Sequence, residues 1–280
     1  MVPGGKRFRA LAAYSHRAQV AGRKCVIKST RGPLRITDFY FDEQVWTQDA
    51  DIVRYNHWST AIPKAACRQQ HTIVIDLTKD DEALLSAMHK KLRYDLRRAA
   101  AENLSYKMWC QPCGGVLDGF CRFYDSFALS KSLAKMSRRR LQALARADSL
   151  VLTEAKLRDR DLVWHAYIRT GARVRLLHSA SLYRSFDSTG LRQTAGRANR
   201  WLHWKDIASF KTEGLRVLDL GGWYAGSHDQ EKQRINNFKE EFGGSIVTDY
   251  QCTSASTVQG RIALWAKTCL DTARALGSTR

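Results

Sequence analysis

The sequence predicts a mixed α/β fold, and three observations carry that prediction. Between Leu150 and Tyr183, three β-rich runs are separated by tight turn signals, as in an antiparallel meander. After Gln193, helix and strand patterns alternate, and the first of those strands closes on Gly221-Gly222. That order builds a crossover sheet with a ligand crevice at the carboxyl edge of its strands. From Leu85 to Ala99, apolar residues recur at helical spacing and supply a helix to pack on the sheet.

Composition bounds the class. With 280 residues, one large domain or two small ones can bury a core. Charged content of 26% and hydrophobic content of 44% fit a globular chain. No segment approaches the ~20 apolar residues of a membrane span, and the basic N-terminus lacks the apolar run of a secretory signal. A cytoplasmic protein is therefore expected. Seven cysteines, an odd number spread over the whole length, do not suggest a disulfide framework. Cys110 and Cys113 form one Cys-x-x-Cys without a second pair at zinc spacing, so no metal is expected. Net charge is the outlier: 46 Lys and Arg against 27 acids give +19. Such an excess attracts RNA, phosphorylated carriers or an anionic membrane face, unless it only reflects an Arg-rich proteome.

Residues 1–32 are basic and glycine-punctuated without periodicity, and read as a loosely ordered arm. Short apolar runs over 36–41 and 72–77 read as strands. Asp80-Asp81-Glu82 opens a helix, since acids favour the positive end of its dipole. Leu85, Met88, Leu92, Leu96 and Ala99 form its buried stripe. Lys90, Arg93 and Arg97 share another stripe, either a solvated face or a substrate-facing one. A second helix over 117–129 turns Phe120, Phe123, Tyr124 and Phe127 inward, and Ser137 caps a third over 138–147. The meander strands follow over 150–155, 162–168 and 174–183, turning at Asp159-Arg160-Asp161 and Thr170-Gly171.

Next come a Trp-rich helix over 198–211, a strand over 218–222, and a helix with Ile235, Phe238 and Phe242 as its buried stripe. The last helix, over 257–276, presents Ile262, Trp265, Ala266 and Leu270 to the sheet. Trp201, Trp204, Phe210 and Trp223 read as core or as a base-stacking set.

Several residues are placed for chemistry. Gln193-x-x-Gly196-x-Ala198 opens the Trp-rich helix, where glycine exposes backbone N–H groups to a phosphate or an acyl oxygen, or merely caps. Asp219 ends its strand beside Gly221-Gly222; it can orient an amine, take a proton or cap the turn. His178 is the histidine best placed for general-base work, ahead of His165 and Tyr250, unless it is a satisfied strand histidine.

Four motifs stand in order between about residues 72 and 252. They are the basic helix from Met88 to Ala99 (MHKKLRYDLRRA), Leu202-His203-Trp204, Leu218-Asp219-Leu220-Gly221-Gly222, and Phe238-Lys239-Glu240-Glu241-Phe242-Gly243-Gly244. Together they resemble the FemAB-like (BioF2-like) branch of the Gcn5-related N-acyltransferases, with Leu218 where that family has Tyr. The resemblance implies a splayed, mostly antiparallel sheet flanked by helices. It implies an acyltransferase-like domain over 81–280, preceded over 1–80 by the basic arm and a truncated first lobe. It also implies transfer of an aminoacyl or acyl group to an amine, such as a peptidoglycan precursor, a sugar amine or a small metabolite. The donor would be aminoacyl-tRNA or acyl-CoA, a co-substrate and not a tightly bound cofactor. By resemblance, Gln193, Gly196, Ala198 and Phe238 would bind the donor, and Lys239 would aim a cation at its carbonyl or phosphate. Lys90, Arg93 and Arg97 would face substrate or RNA. The alternative is a non-catalytic RNA-binding module on the same scaffold.

Overall fold

Turn chemistry and strand alternation set the order of elements. The computed structural model describes residues 9–10, 25–41 and 49–277. The chain opens with β1 (Arg9–Ala10), β2 (Val26–Arg31), β3 (Leu34–Tyr40), β4 (Ile52–Trp58) and β5 (Ala66–Asp76). Helices α1 (Asp81–Ala87) and α2 (Lys90–Ala100) lead to β6 (Leu104–Trp109), then α3 (Gly114–Ser130) and α4 (Arg138–Arg146). The meander is β7 (Leu150–Leu157), β8 (Arg160–Thr170) and β9 (Arg173–Ser181). It is followed by α5 (Thr189–Thr212), β10 (Val217–Trp223), α6 (Gln230–Glu240), β11 (Ser245–Ala255) and α7 (Val258–Gly277). Most of the arm expected over 1–32 lies outside the described residues, but its last part forms strand β2. Among the described residues, no helix is long and apolar enough to cross a membrane.

Two compact units divide the chain, one built on His71–Val247 and the other on Cys25–Gln70 with Thr248–Arg280. The boundaries fall inside β5 and β11.

In unit one the sheet order is β5-β10-β9-β8-β7-β6, antiparallel except for the parallel pair β9–β10. Helices cover both faces. Tyr167 packs edge-on against Phe210 of α5, while Trp164, on the opposite face of β8, meets Phe120 and Phe123 of α3. The main core joins Ile73, Leu92, Val174, Ile207, Leu218 and Phe242 across strands and helices. Fully burying each such side chain is worth about 1.5–3 kcal/mol. The single helix expected after Asp80 is two, because Met88 is extended (φ −76°, ψ 150°) and His89 starts a new one. Met88, Leu92, Leu96 and Ala99 are buried as expected, with Leu84 replacing Leu85.

In unit two the order is β2-β3-β4-β11, with a β2–β3 hairpin and a parallel β3–β4 pair. Cys67 and Cys252, 185 residues apart in sequence, form a disulfide, although the odd and scattered cysteines do not suggest a disulfide framework. Helix α7 forms over the expected residues, but its apolar stripe is not packed on the sheet. Ile262, Trp265 and Leu270 are 61%, 70% and 61% exposed.

Candidate active site at the strand splay

Strands β9 and β10 part company. Val217–Asp219 pair with Arg173–Arg175, yet β9 runs on to Ser181 without β10 beside it. Each strand also bulges at this level. Against β8, residues Leu176 and His178 oppose the adjacent pair Tyr167 and Ala166, leaving Leu177 as the extra residue. Against β5, the shift lies between Asp219 and Gly222. Bulges break the ladder and re-aim what they carry, and they concentrate next to active sites. Gly221 takes φ +85°, a conformation other residues rarely adopt, and a Cβ there would sit 3.4 Å from the Leu176 carbonyl oxygen and 3.5 Å from Lys239 Nζ.

Lys239 reaches into this gap and donates to the Gly222 carbonyl at 2.7 Å. Its pKa is lowered to about 8, chiefly by burial and then by the Arg175 charge, with the Asp219 charge opposing both. Helix α6 is held for the purpose. Asp229 caps its start through the Lys232 N–H, and buried Asn236 accepts from the Tyr224 N–H and donates to its carbonyl. Trp223 Nε1 donates to Glu240, and Arg200 grips Glu241 with two bonds of 2.9 and 3.1 Å. Asn236 was invisible in sequence, since nothing marks one polar helix residue among many.

The motif glycines have physical causes here. Gly243 has φ +75°, and a Cβ on it would come within 2.3 Å of the Ala87 carbonyl. A Cβ on Gly244 would come within 2.6 Å of Ile73.

Asp219 is fully buried and accepts from the Thr72 hydroxyl, from Arg173 and Arg175 at 2.5 Å each, and from the Gly221 N–H at 2.8 Å. A carboxylate so fully engaged fixes the shape of the β10 bulge; the expected proton-taking role has no free lone pair to act through. His178 stands edge-on to Tyr124 at 5.0 Å and lines a cavity of about 290 Å³ with Lys135, Met136, Arg140 and Leu177. Burial and the Arg140 charge lower its pKa to about 4, so it is neutral at physiological pH.

The expected donor loop is not a loop. Helix α5 begins at Thr189, so Gln193, Gly196 and Ala198 lie inside it. Their N–H groups belong to the helix ladder, Ala198 is fully buried, and Gln193 is exposed. Phe238 stacks among His203, Phe242 and the Arg200 guanidinium as part of the packing. Ile235, expected to be buried, is 45% exposed. Of the basic stripe, Arg93 is spent on the carbonyls of Leu85, Ser86 and Met88, closing the end of α1. Lys90 and Arg97 remain exposed. The tryptophans Trp201, Trp204 and Trp223 pack against the core. Among the described residues, His165, His203 and Asp206 bring two imidazoles and a carboxylate within 4.8 Å of one another, a grouping that their sequence positions do not reveal.

Neither a family model nor a curated protein matches the chain in sequence. Solved structures do match. The crystal structure of FemX superposes with a TM-score of 0.59 at 12% identity, over 81% of this chain and 83% of that one. The chain shares the fold of FemX. The C-terminal DUF2156 domain assigned to a lysylphosphatidylglycerol synthetase of Agrobacterium fabrum superposes with a TM-score of 0.53 at 12% identity. That match covers 89% of this chain and 86% of the other.

Proposed function

We propose that this FemAB-like fold is an N-acyltransferase moving an aminoacyl or acyl group from aminoacyl-tRNA or acyl-CoA to an amine acceptor. The observation that carries the reading is Lys239, a half-buried ammonium at the splay with a pKa of about 8. Acyl transfer builds negative charge on the carbonyl oxygen, and a fixed cation stabilises that charge more in the transition state than in the ground state. The bulge at Leu177 supplies backbone groups outside the ladder at the same level. His178 is neutral at pH 7 and fronts a cavity, so its lone pair is open to the acceptor amine, although a pKa of about 4 makes it a weak base. Asp219 is a positioning residue that holds Arg173, Arg175 and Gly221 around the gap.

For the donor phosphates, the first turn of α5 replaces the Gly196 loop, because its N–H groups lack helical acceptors. A recess of about 690 Å³ beside it is lined by Arg158, Arg160, Leu157 and Leu191, with the Asp159 carboxylate between the two arginines in sequence. Lys90 and Arg97 are exposed cations that a tRNA backbone would contact. The test offers radiolabelled acyl-CoA and charged tRNA, each with amines that co-purify with the protein. Transfer from either donor, lost in Lys239→Met, supports the reading. Tight tRNA binding with a steep salt dependence and no transfer from either donor would make the chain an RNA-binding module instead.

A further inference from the structure

Inside unit one, two imidazoles and a carboxylate converge. His165 comes from β8, and His203 and Asp206 from adjacent positions on one side of α5. They are 0%, 2% and 0% exposed, and one ligand atom from each lies within 4.8 Å of the others. The carboxylate is well supplied: Asp206 accepts from the hydroxyls of Tyr106, Tyr167 and Thr153 at 3.1, 2.6 and 3.2 Å. Its ion-pair partner is His165, with Nδ1 2.8 Å from Oδ2.

His203 is the anomaly. Neither of its ring nitrogens has a hydrogen-bond partner, although the ring is buried with its centroid 4.1 Å from that of His165. It lies between Phe238 and Phe242, at 5.6 and 5.1 Å, where an aromatic hydrocarbon would fit without the penalty of two unpaired nitrogens. A second misfit concerns His165. If its Nδ1–H donates to Asp206, the bare Nε2 faces the Asn199 Oδ1 acceptor at 3.0 Å. If Nδ1 instead gives its lone pair to a cation, Nε2 carries the proton and donates to Asn199. That is the outer partner a metal-bound imidazole ordinarily has.

We propose that His165, His203 and Asp206 bind a divalent transition-metal ion, with zinc the best match to two imidazoles and a carboxylate. The three ligand atoms, within 4.8 Å of one another, must draw in around the ion to give zinc–nitrogen bonds of about 2.0–2.1 Å. The ion takes the place of the hydrogen bond between His165 and Asp206, and is held by two neutral imidazoles and one carboxylate. Tyr106, Tyr167 and Thr153 remain on the carboxylate and hold its orientation. The ion ties β8 to α5 directly beneath Phe238 and Phe242, and so steadies the end of α6 that carries Lys239.

The test uses the full chain, expressed with added zinc and dialysed against metal-free buffer. Elemental analysis should find about one ion per chain, and loading with Co²⁺ should give visible absorption from a nitrogen–oxygen site. A strong chelator should lower the melting temperature. The variant His203→Phe fills the same space without nitrogen, and it should lose both the ion and the chelator response. Wild type free of metal and without Co²⁺ absorption, beside a His203→Phe protein melting higher, overturns the proposal and leaves a metal-free polar core. An ion retained in full by His203→Phe overturns it as well, because the ion then sits elsewhere. If His203→Phe does not fold, the metal content and Co²⁺ spectrum of the wild type decide alone.

Discussion

Lys239 Nζ and the Gly222 carbonyl oxygen, 2.7 Å apart, join the last turn of α6 to the point where β10 has left β9. The lysine thus holds the backbone of the glycine pair while its charge faces the gap. Lys239→Met should cut turnover with the identified donor and acceptor by ~100- to 1000-fold, as loss of one oxyanion stabiliser does. Stability should fall by only about 1 kcal/mol, one lost hydrogen bond. The wild-type rate should fall as pH rises through about 8, where the ammonium loses its proton. A rate that climbs through the same window would mean the neutral amine is the working form.

His178 gives the acid side. Its folded pKa is about 4 against an ordinary 6.5, so the unfolded chain binds the extra proton between those values. Stability from this group is therefore full above pH 6.5 and is lost as pH falls toward 4. Urea titrations across that window should show a slope that His178→Gln flattens. If His178 is the base, kcat/KM should also hold level down to about pH 4 to 5, without an inflection near 6.5.

Gly196→Ala distinguishes a helix interior from a phosphate loop. The added Cβ meets nothing within 4 Å, and the residue lies inside α5. The substitution should stabilise the protein by about 0.5–1 kcal/mol and leave donor affinity unchanged. Lost affinity for coenzyme A or charged tRNA in calorimetry would restore the loop to the donor site.

Gly243→Ala should do the opposite. The positive φ and the Ala87 carbonyl at 2.3 Å leave no room, so the α6–β11 junction must shift. A loss of more than about 2 kcal/mol is expected from strain and overpacking together, read as a lowered urea midpoint.

Much of the fold was legible because its signals are local. The turn signals at Asp159-Arg160-Asp161 and Thr170-Gly171 punctuate the meander, although the first turn falls earlier, at Arg158-Asp159, and the Gly-Gly pairs after Leu220 and Phe242 mark places where backbone must bend or approach closely. The start of α5 was not legible. Gly190 and Gly196 cost a helix about 1 kcal/mol each, but burial of Ala195, Ala198 and Leu202 in the core outweighs them. In α7 the apolar period was correctly read as a helix, yet a period cannot say whether anything covers Trp265. The site divides in the same way. The place of Lys239 at the end of α6 follows from its motif, but the engagement of Asp219 by two arginines and the meeting of His165 with Asp206 arise only when distant strands and helices come together.

The division of the chain also imposes a schedule on its synthesis. Once Val247 has emerged from the ribosome, every residue from His71 onward that builds unit one is present, and that unit can fold. Unit two is made in two instalments. Strands β2, β3 and β4 emerge early but must wait for Thr248 and the residues beyond before β4 gains its partner β11. Cys67 likewise stays a thiol until Cys252, 185 residues later, is available. Ribosome-bound chains ending at Val247, followed by a flexible linker that carries Val247 clear of the exit tunnel, should therefore protect unit one from protease while Cys25–Gln70 remains open to cleavage and its thiols to alkylation.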